Sequence, residues 1–568
     1  MDKRTRMIPC IVCLLVIVAP WGALETAGAP NLPPPAPAAE WRVCPAGPPA
    51  CDYAAVQDAV DAAGAGDTIL IAAGLYNGVQ ARPAPAGYLG PAVITQVVYI
   101  SQSLTVRGGY SADFSDWDPA LYTTTLDAEG QGRVIFVGGP DITVTVAGLR
   151  VTGGAATGQG GYVVAGTDVG GGLCAWDASV SLERNVVYSN TASNDPVALG
   201  QGGGLAIIFP DSLSGRVTVR ENTIQHNSAH ATLGGSGGGG LFLYAGRAIT
   251  VANNLLADNS AGPPNTGYGG GMDGREISGT VVLSDNRFAN NRAAYGGGVN
   301  LYFVKTVTMT GNVVEGNIGN GVYVDLGRAI LIGNTVVSNT MSTGPSAGQG
   351  GGLLLYRTNA TLTGNAILSN TAALGQGTGG GVFVQSSTMT MEGDRVEYNR
   401  GAVNGYSGWG GGLTLFESAV TMRKVTIANN SAAVDMQGWG GGLYIGGGNY
   451  ALLNCTITGN AASVNAAGEG GGLYNTQNTL TIRGSRITDN TASVGGGAFL
   501  SRAWGPFTLE NSVFLNNRAA VDGAGLYFKE LEWPFPVRLR HITVAHNEGL
   551  AGVYVADTLS GYPLQMTN

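Results

Sequence analysis

The chain has 568 residues, of which 93 are Gly and only 12% are charged, against an average Gly usage of about 7%. Its hydrophobic content of 44% is too high for disorder, and the glycines keep no strict three-residue period, which excludes collagen. The formal charge of −9, from 29 Lys and Arg against 38 Asp and Glu with no basic run, argues against nucleic acid or an anionic membrane as partner.

Residues 1–29 read as a secretory signal, with Lys3, Arg4 and Arg6 ahead of an apolar stretch from Met7 to Ala19. Ala27-Gly28-Ala29, or a site nearer Ala23, would serve for cleavage. No later segment is long and apolar enough for a transmembrane helix. The expected location is secreted, extracellular or cell-surface. Residues 30–43 are Pro-rich and read as a stiff extended linker. Cys44 and Cys51 bracket a short Pro/Gly loop and are expected to form a disulfide. Cys174 and Cys455 lie far apart in the repeats that follow and are expected not to pair.

Residues 44–76 read as a cap. Tyr53–Ala63 predicts a short amphipathic helix with Val56, Ala59, Val60 and Ala63 on one face, followed by a strand over Asp67–Ala72. A helix over the open end of a stack is what a repeat array needs there. Residues 77–169 carry further strand runs, such as Leu104–Arg107 and Ile142–Val146. From 170 to 556 one pattern recurs: a Gly triplet, an apolar residue, two alternating runs, then apolar-x-x-Asn. The closing residues are Asn190, Asn227, Asn259, Asn291, Asn317, Asn339, Asn370, Asn399, Asn430, Asn460, Asn490, Asn517 and Asn547. Their twelve intervals average about 30 residues, and a large apolar residue stands three before every one. Period-two alternation means strands, and a short repeat built of strands means a solenoid whose coils cover one another. Asn tolerates a left-handed corner, and its amides can bond to their copies above and below, so these residues are expected to form a structural ladder. The Gly triplets re-enter the coil where a side chain would clash. The surplus residues between each Asn and the next triplet are expected to be loops along one edge.

These residues resemble the right-handed parallel β-helix (pectin-lyase-like) proteins over roughly residues 50–556, with Tyr53–Tyr76 similar to their cap and first strand. The resemblance implies an all-β, right-handed parallel β-helix solenoid with a short N-terminal capping helix. The Gly-Gly-Gly-Leu and apolar-x-x-Asn marks are similar to the repeats of chlamydial polymorphic outer-membrane proteins, which are adhesins. After Asn547 come Gly552–Val555 and a polar tail, 557–568, with no closing helix. An open stack exposes strand edges, so either a further segment or a partner is expected to cover this end.

Catalysis on stacked coils needs carboxylates on adjacent coils. The slots one and two residues before the closing Asn do not provide them, and the Asn-Thr-Asp, Asp-Asp and Gly-His-Gly signatures of the pectin-degrading families are missing. No catalytic residue is nominated. If the protein is an enzyme, Asp435 and Glu469 are the least implausible acids. The four His (His226, His230, His541, His546) sit at opposite ends of the array, and Asp113, Asp116 and Asp118 read as turn formers, so neither metal nor cofactor is expected. Aromatics are more suggestive. The second residue after the triplet is Phe242, Tyr323, Phe383, Tyr444, Tyr474, Phe499, Tyr527 or Tyr554, and alternation should turn it outward. The residue before the triplet is Tyr268, Tyr295, Trp409 or Trp439 in four repeats, with Tyr406 near Trp409. Rings in a row can stack on sugars; equally, they can pack on each other and shield loop backbones. Tyr406, Trp409, Trp439, Tyr444 and Tyr474 are the candidate carbohydrate-binding residues. The expected function is a secreted or surface-displayed binding or adhesion rod whose partner is polysaccharide or another cell-surface component. The alternative is a polysaccharide lyase or glycoside hydrolase on the same scaffold; the fold alone does not grant activity.

Overall fold

The structure, a computed structural model, describes residues 38–556 apart from 163, 165, 211–214, 264–265, 345, 503–504 and 532–534, together with 564–567. The signal expected over 1–29 and most of the linker lie outside the described residues. From residue 38 onward the chain is a right-handed parallel β-solenoid with one α-helix among the described residues, α1 (Val56–Ala62). No helix among the described residues is long and apolar enough to cross a membrane.

One coil shows the plan. After the Gly269–Gly271 triplet, strand Met272–Arg275 ends at a left-handed Glu276 with φ 54°. Strand Thr280–Ser284 ends at Asp285 with φ 53°. Strand Arg287–Ala289 ends at Asn290 with φ 55°, and Asn291 closes the coil. Each strand pairs in parallel with its copy: Met272 with Val299, Thr280 with Thr306, Arg287 with Val313. The third of these ladders runs through 16 strands. Alternation sets the core, since successive side chains point to opposite faces. Val281 and Leu283 are buried while Thr280 is exposed, and Phe288 is buried beside an exposed Arg287. Repeated coil after coil, these columns make one apolar core from Val43 to Leu539.

The expected ladder is present from Asn190 to Asn547, and Asn291 shows its form. Its N–H and Nδ2 donate to Asn317 Oδ1 at 2.8 and 3.1 Å, and Nδ2 also donates to the Leu256 carbonyl at 2.9 Å. Its own Oδ1 accepts from the N–H and Nδ2 of Asn259, both at 3.0 Å. One carboxamide thus satisfies corner groups on three coils. The left-handed residue is not the Asn, contrary to the sequence expectation. It is the residue before it, as at Ser189, Asp258, Tyr398 and Asp489, with φ between 55° and 59°. That residue reverses the chain toward the interior, and the Asn follows with its amide already buried.

A second ladder, five residues earlier, was not anticipated. Asn185, Asn222, Asn254, Asn286, Asn312, Asn334 and Asn365 bond in the same way. It ends at Asp394, whose Oδ1 accepts from Asn365 N–H and Nδ2, both at 2.8 Å. Val425, Cys455, Ser485 and Ser512 occupy the slot afterwards.

The loops also differ from expectation. Many of them ladder among themselves. Thr371–Ala373, Arg400–Ala402, Ser431–Ala433 and Ala461–Ser463 pair across coils, and so do Gly377–Thr378, Gly408–Trp409, Gly438–Trp439 and Gly468–Glu469. Loops of similar length in successive coils can satisfy each other's backbone groups. At the triplets backbone approaches backbone: a Cβ on Gly441 would lie 2.3 Å from the Ala461 carbonyl oxygen.

Two boundaries move. Glu40–Val43, assigned to the linker, is a strand pairing with Thr68–Ile71. Asp67 pins it, accepting from Ala39 N–H at 2.8 Å and the Trp41 indole at 3.0 Å. The Trp41 bond, with backbone bonds from Gly64 and Ala39, holds the Asp67 carboxyl below its ordinary range. Leu564–Thr567, assigned to the polar tail, pairs with Val537–Arg540. Helix α1 covers the N-terminal end as expected, burying Val56, Ala59 and Val60, and Gln57 is buried too. Tyr99 N–H donates to Gln57 Oε1 at 2.6 Å and Gln57 Nε2 donates to the Tyr99 carbonyl at 3.1 Å. The side chain thereby stands in for the strand that is absent beyond Tyr99 on this side. Cys44 and Cys51 are joined, while Cys174 and Cys455 are free and buried.

Asp394 is a carboxyl in an amide's slot, and burial raises its pKa against the bonds from Asn365 and Glu392. A raised folded-state pKa means a contribution present below the unfolded value and lost as pH rises through the folded one. Asp394→Asn should therefore gain about 1 kcal/mol at neutral pH, with the gain shrinking as pH falls into the carboxylate range. Denaturant unfolding of both proteins across that range checks it.

Candidate functional site

The Gly triplet places two columns side by side on the outward surface: the residue before it and the second residue after it. In the first column, Thr378, Trp409, Trp439 and Glu469 stand in register on successive coils. The indoles of Trp409 and Trp439 stack with centroids 5.1 Å apart and planes 13° apart. In the second column Tyr444, Tyr474, Phe499, Tyr527 and Tyr554 form one continuous stack, with centroids 5.0–5.2 Å apart and planes within 18°. Coil spacing dictates this distance, because hydrogen-bonded strands lie about 4.8 Å apart. The same columns hold Tyr268 stacked on Tyr295 at 5.8 Å, while Phe242 and Phe383 are buried.

Stacking decides what a ligand can reach. Both faces of Tyr474, Phe499 and Tyr527 are occupied by neighbouring rings, and Phe499 is buried, so only the edges and hydroxyls of the two tyrosines remain partly exposed. Trp409 and Trp439 are half-buried, and Tyr406, in the turn leading into Trp409, is 42% exposed. All five candidate residues therefore lie on one side of the rod, spread over coils that are adjacent in register.

Glu469 is the carboxylate of this stripe. Burial raises its pKa, opposed by the charge of Lys529 and by the Trp439 indole. Burial also pushes the neighbouring Tyr474 hydroxyl up to about 12, with the Glu469 charge adding to the effect. Lys529 was missed by sequence reasoning, because it lies two coils beyond Glu469 and only the parallel register brings it near. Asp435 is exposed at a loop tip, accepting from Asn465 Nδ2 at 2.8 Å.

The other polar candidates have structural partners. Asp113 accepts from Ser111 and Ser115, Asp116 from Trp117 N–H, and Asp118 from Ala120 N–H, which are turn bonds. His226, His541 and His546 occupy left-handed corners. His230 is buried, with Nδ1 accepting from Thr232 and Leu233 N–H and Nε2 bonded to the Asp195 carbonyl. No group of three or more His, Cys, Asp or Glu among the described residues is placed to hold a metal ion.

Stacked parallel coils with paired Asn corners and an outward aromatic stripe define a right-handed β-helix rod. The family described as right handed beta helix region matches residues 135–341 and 297–480. Those spans together cover more than half of the chain, and the protein belongs to that family. No curated protein matches it. Among solved structures it is similar to the A-module of Azotobacter vinelandii mannuronan C-5 epimerase AlgE4, at 12% identity, covering 89% of this chain and 93% of that chain, with a TM-score of 0.23. The receptor-binding domain of the siphovirus 9NA tailspike is 10% identical, covering 93% and 78% of the two chains, with a TM-score of 0.20. A PL6 family alginate lyase, AlyGC, is also 10% identical, covering 90% and 97%, with a TM-score of 0.20.

An inner ring of the stack, Tyr474, is open to test. Tyr474→Ala should cost about 2 kcal/mol, because Tyr444 and Phe499 lose a shared neighbour, whereas Tyr474→Phe should cost much less. Denaturant unfolding measures both.

Proposed function

We propose that this protein is a secreted or surface-displayed rod that binds polysaccharide along its outward aromatic stripe. The observation that carries this reading is the half-exposed Trp409–Trp439 pair, set beside the edges of Tyr444 and Tyr474 on coils in strict register. Aromatic rings give a sugar apolar area, and tyrosine hydroxyls and Glu469 give it hydrogen-bonding partners. A polysaccharide repeats along its length as the coils do, so successive sugars would meet equivalent edges. The charge of −9 favours a neutral polymer over a polyanion.

A second reading, cleavage of such a polymer by a lyase or hydrolase mechanism, rests on Glu469. A carboxyl with its pKa raised by burial is suited to proton transfer. Glycoside hydrolysis would need a second carboxylate across the sugar, and Asp435 sits at an exposed loop tip.

Electrophoresis of the purified protein through gels containing different soluble polysaccharides separates these readings. Retardation by a neutral polymer is expected, to be lost in the Trp409→Ala/Trp439→Ala double variant and kept in Tyr398→Ala, an exposed aromatic at a different corner. Unretarded migration in every gel would sink the proposal. Progressive shortening of the polymer, abolished by Glu469→Gln, would favour the second reading.

A further inference from the structure

Five coils before the Trp409 coil, counting from Met272 to Leu413 through the first ladder, the outward columns stop repeating. Aliphatic and aromatic residues give way to Asp273 and Asn300 on adjacent coils. Both are buried, with Asp273 wholly inaccessible and Asn300 1% exposed. Arg275 Nε donates to Asp273 Oδ2 at 2.9 Å, and Asn300 Nδ2 donates to Asp273 Oδ1 at 2.7 Å. That second bond fixes which way the Asn300 amide points. Its Oδ1 is then left buried without a hydrogen-bond partner.

An unpaired buried acceptor costs about 1–3 kcal/mol, and here it borders a cavity. A recess of about 350 Å³ is lined by Tyr268, Arg275, Asn300, Tyr302 and Tyr323. Arg275 lies over the Tyr268 ring, 5.2 Å from its centroid, and Tyr302 is 41% exposed at the rim. Tyr323 is fixed from behind, its hydroxyl donating to Asp325 at 3.2 Å while Arg357 holds Asp325. A second recess of about 380 Å³ adjoins the first and shares Tyr268 and Tyr323 with it.

The lining specifies a ligand. Aromatic walls call for an apolar face, and the Asn300 carbonyl calls for a hydrogen donor. The Arg275 charge is balanced by Asp273, so the floor offers no net charge to an ionic group. We infer that this recess is a binding site for a single neutral pyranose unit, with one ring face on the tyrosine wall and a hydroxyl donating to Asn300 Oδ1. It stands independently of the Trp409–Trp439 stripe. The unit can come as a free monosaccharide or as the end of a longer glycan, and the two sources share this chemistry.

Saturation-transfer NMR and calorimetric titration of the full chain with methyl glycosides of common hexoses, free hexoses, neutral oligosaccharides and uronic acids test it. A neutral methyl glycoside should bind with Kd on the order of millimolar, and both Tyr302→Ala and Asn300→Ala should weaken it about tenfold or more. Tyr302 is at the rim, so Tyr302→Ala remains informative if Asn300→Ala fails to fold. The Trp409→Ala/Trp439→Ala variant should bind the monosaccharide unchanged, which separates this site from the stripe. Binding of the methyl glycoside as tight as that of a reducing-end oligosaccharide would identify a single-unit site, and tighter oligosaccharide binding still lost in Tyr302→Ala would identify a glycan end. No binding of any neutral sugar, binding of uronic acids alone, or binding indifferent to Tyr302→Ala would overturn the assignment.

Discussion

Everything in this rod depends on how one buried corner satisfies its backbone. Each coil must turn inward three times, and each turn takes N–H and C=O groups out of water. A group left unpaired there costs about 1–3 kcal/mol, and the loss would recur on every coil. Asn solves this because its carboxamide carries two donors and an acceptor in one plane. Asn291 gives to Asn317 and to the Leu256 carbonyl while it receives from Asn259. No shorter or purely accepting side chain does all of this. The second ladder shows the limit: Asp394 can receive from Asn365 but holds a carboxyl in a buried slot, and beyond it the slot passes to Val425 and Cys455.

The corners fix the register, and the register places the surface. With every coil held residue for residue over the one before it, outward side chains become columns at strand spacing. Where a column is filled with aromatics, as from Tyr444 to Tyr554, the strand spacing sets the rings in near-parallel, offset stacks. The surface that remains is a line of edges and hydroxyls flanked by the Trp409–Trp439 pair and Glu469. A long, repetitive ligand suits such a line. Where the repetition breaks, at Asp273 and Asn300, the columns give way to a recess lined by Tyr268, Arg275, Asn300, Tyr302 and Tyr323.

What could be read in the sequence is what repeats strictly. The apolar-x-x-Asn mark recurs thirteen times and yields the coils from Asn190 to Asn547, the inward columns and the first ladder, while the earlier coils of the 16-strand ladder carry no such mark. The second ladder escaped because seven Asn are followed by Asp394, Val425 and Cys455, which share shape more than chemistry. The left-handed corner was assigned one residue late. Ser189, Tyr398 and Asp489 share no side-chain type, and their common backbone conformation leaves no mark in the letters. The side ladders of two- and three-residue strands, such as Gly408–Trp409, are too short for periodicity to detect. The recess residues are single departures within repeating columns, visible as a site only once Asp273 and Asn300 are known to be neighbours.

The dependence on the amide ladder is tested most directly by hydrogen exchange of Asn317→Ala beside the unaltered protein. The substitution removes the acceptor of Asn291 N–H and Nδ2 and the donor to the Phe288 carbonyl. If the ladder holds the register, local opening should become easier by about 3 kcal/mol, roughly a hundredfold faster exchange, over residues 287–293 and 313–340. Distant coils such as those around Asn490 should be little changed, because each coil contacts chiefly its neighbours. Unchanged exchange at both neighbouring corners would contradict the ladder's role and shift the burden of register to the apolar core alone.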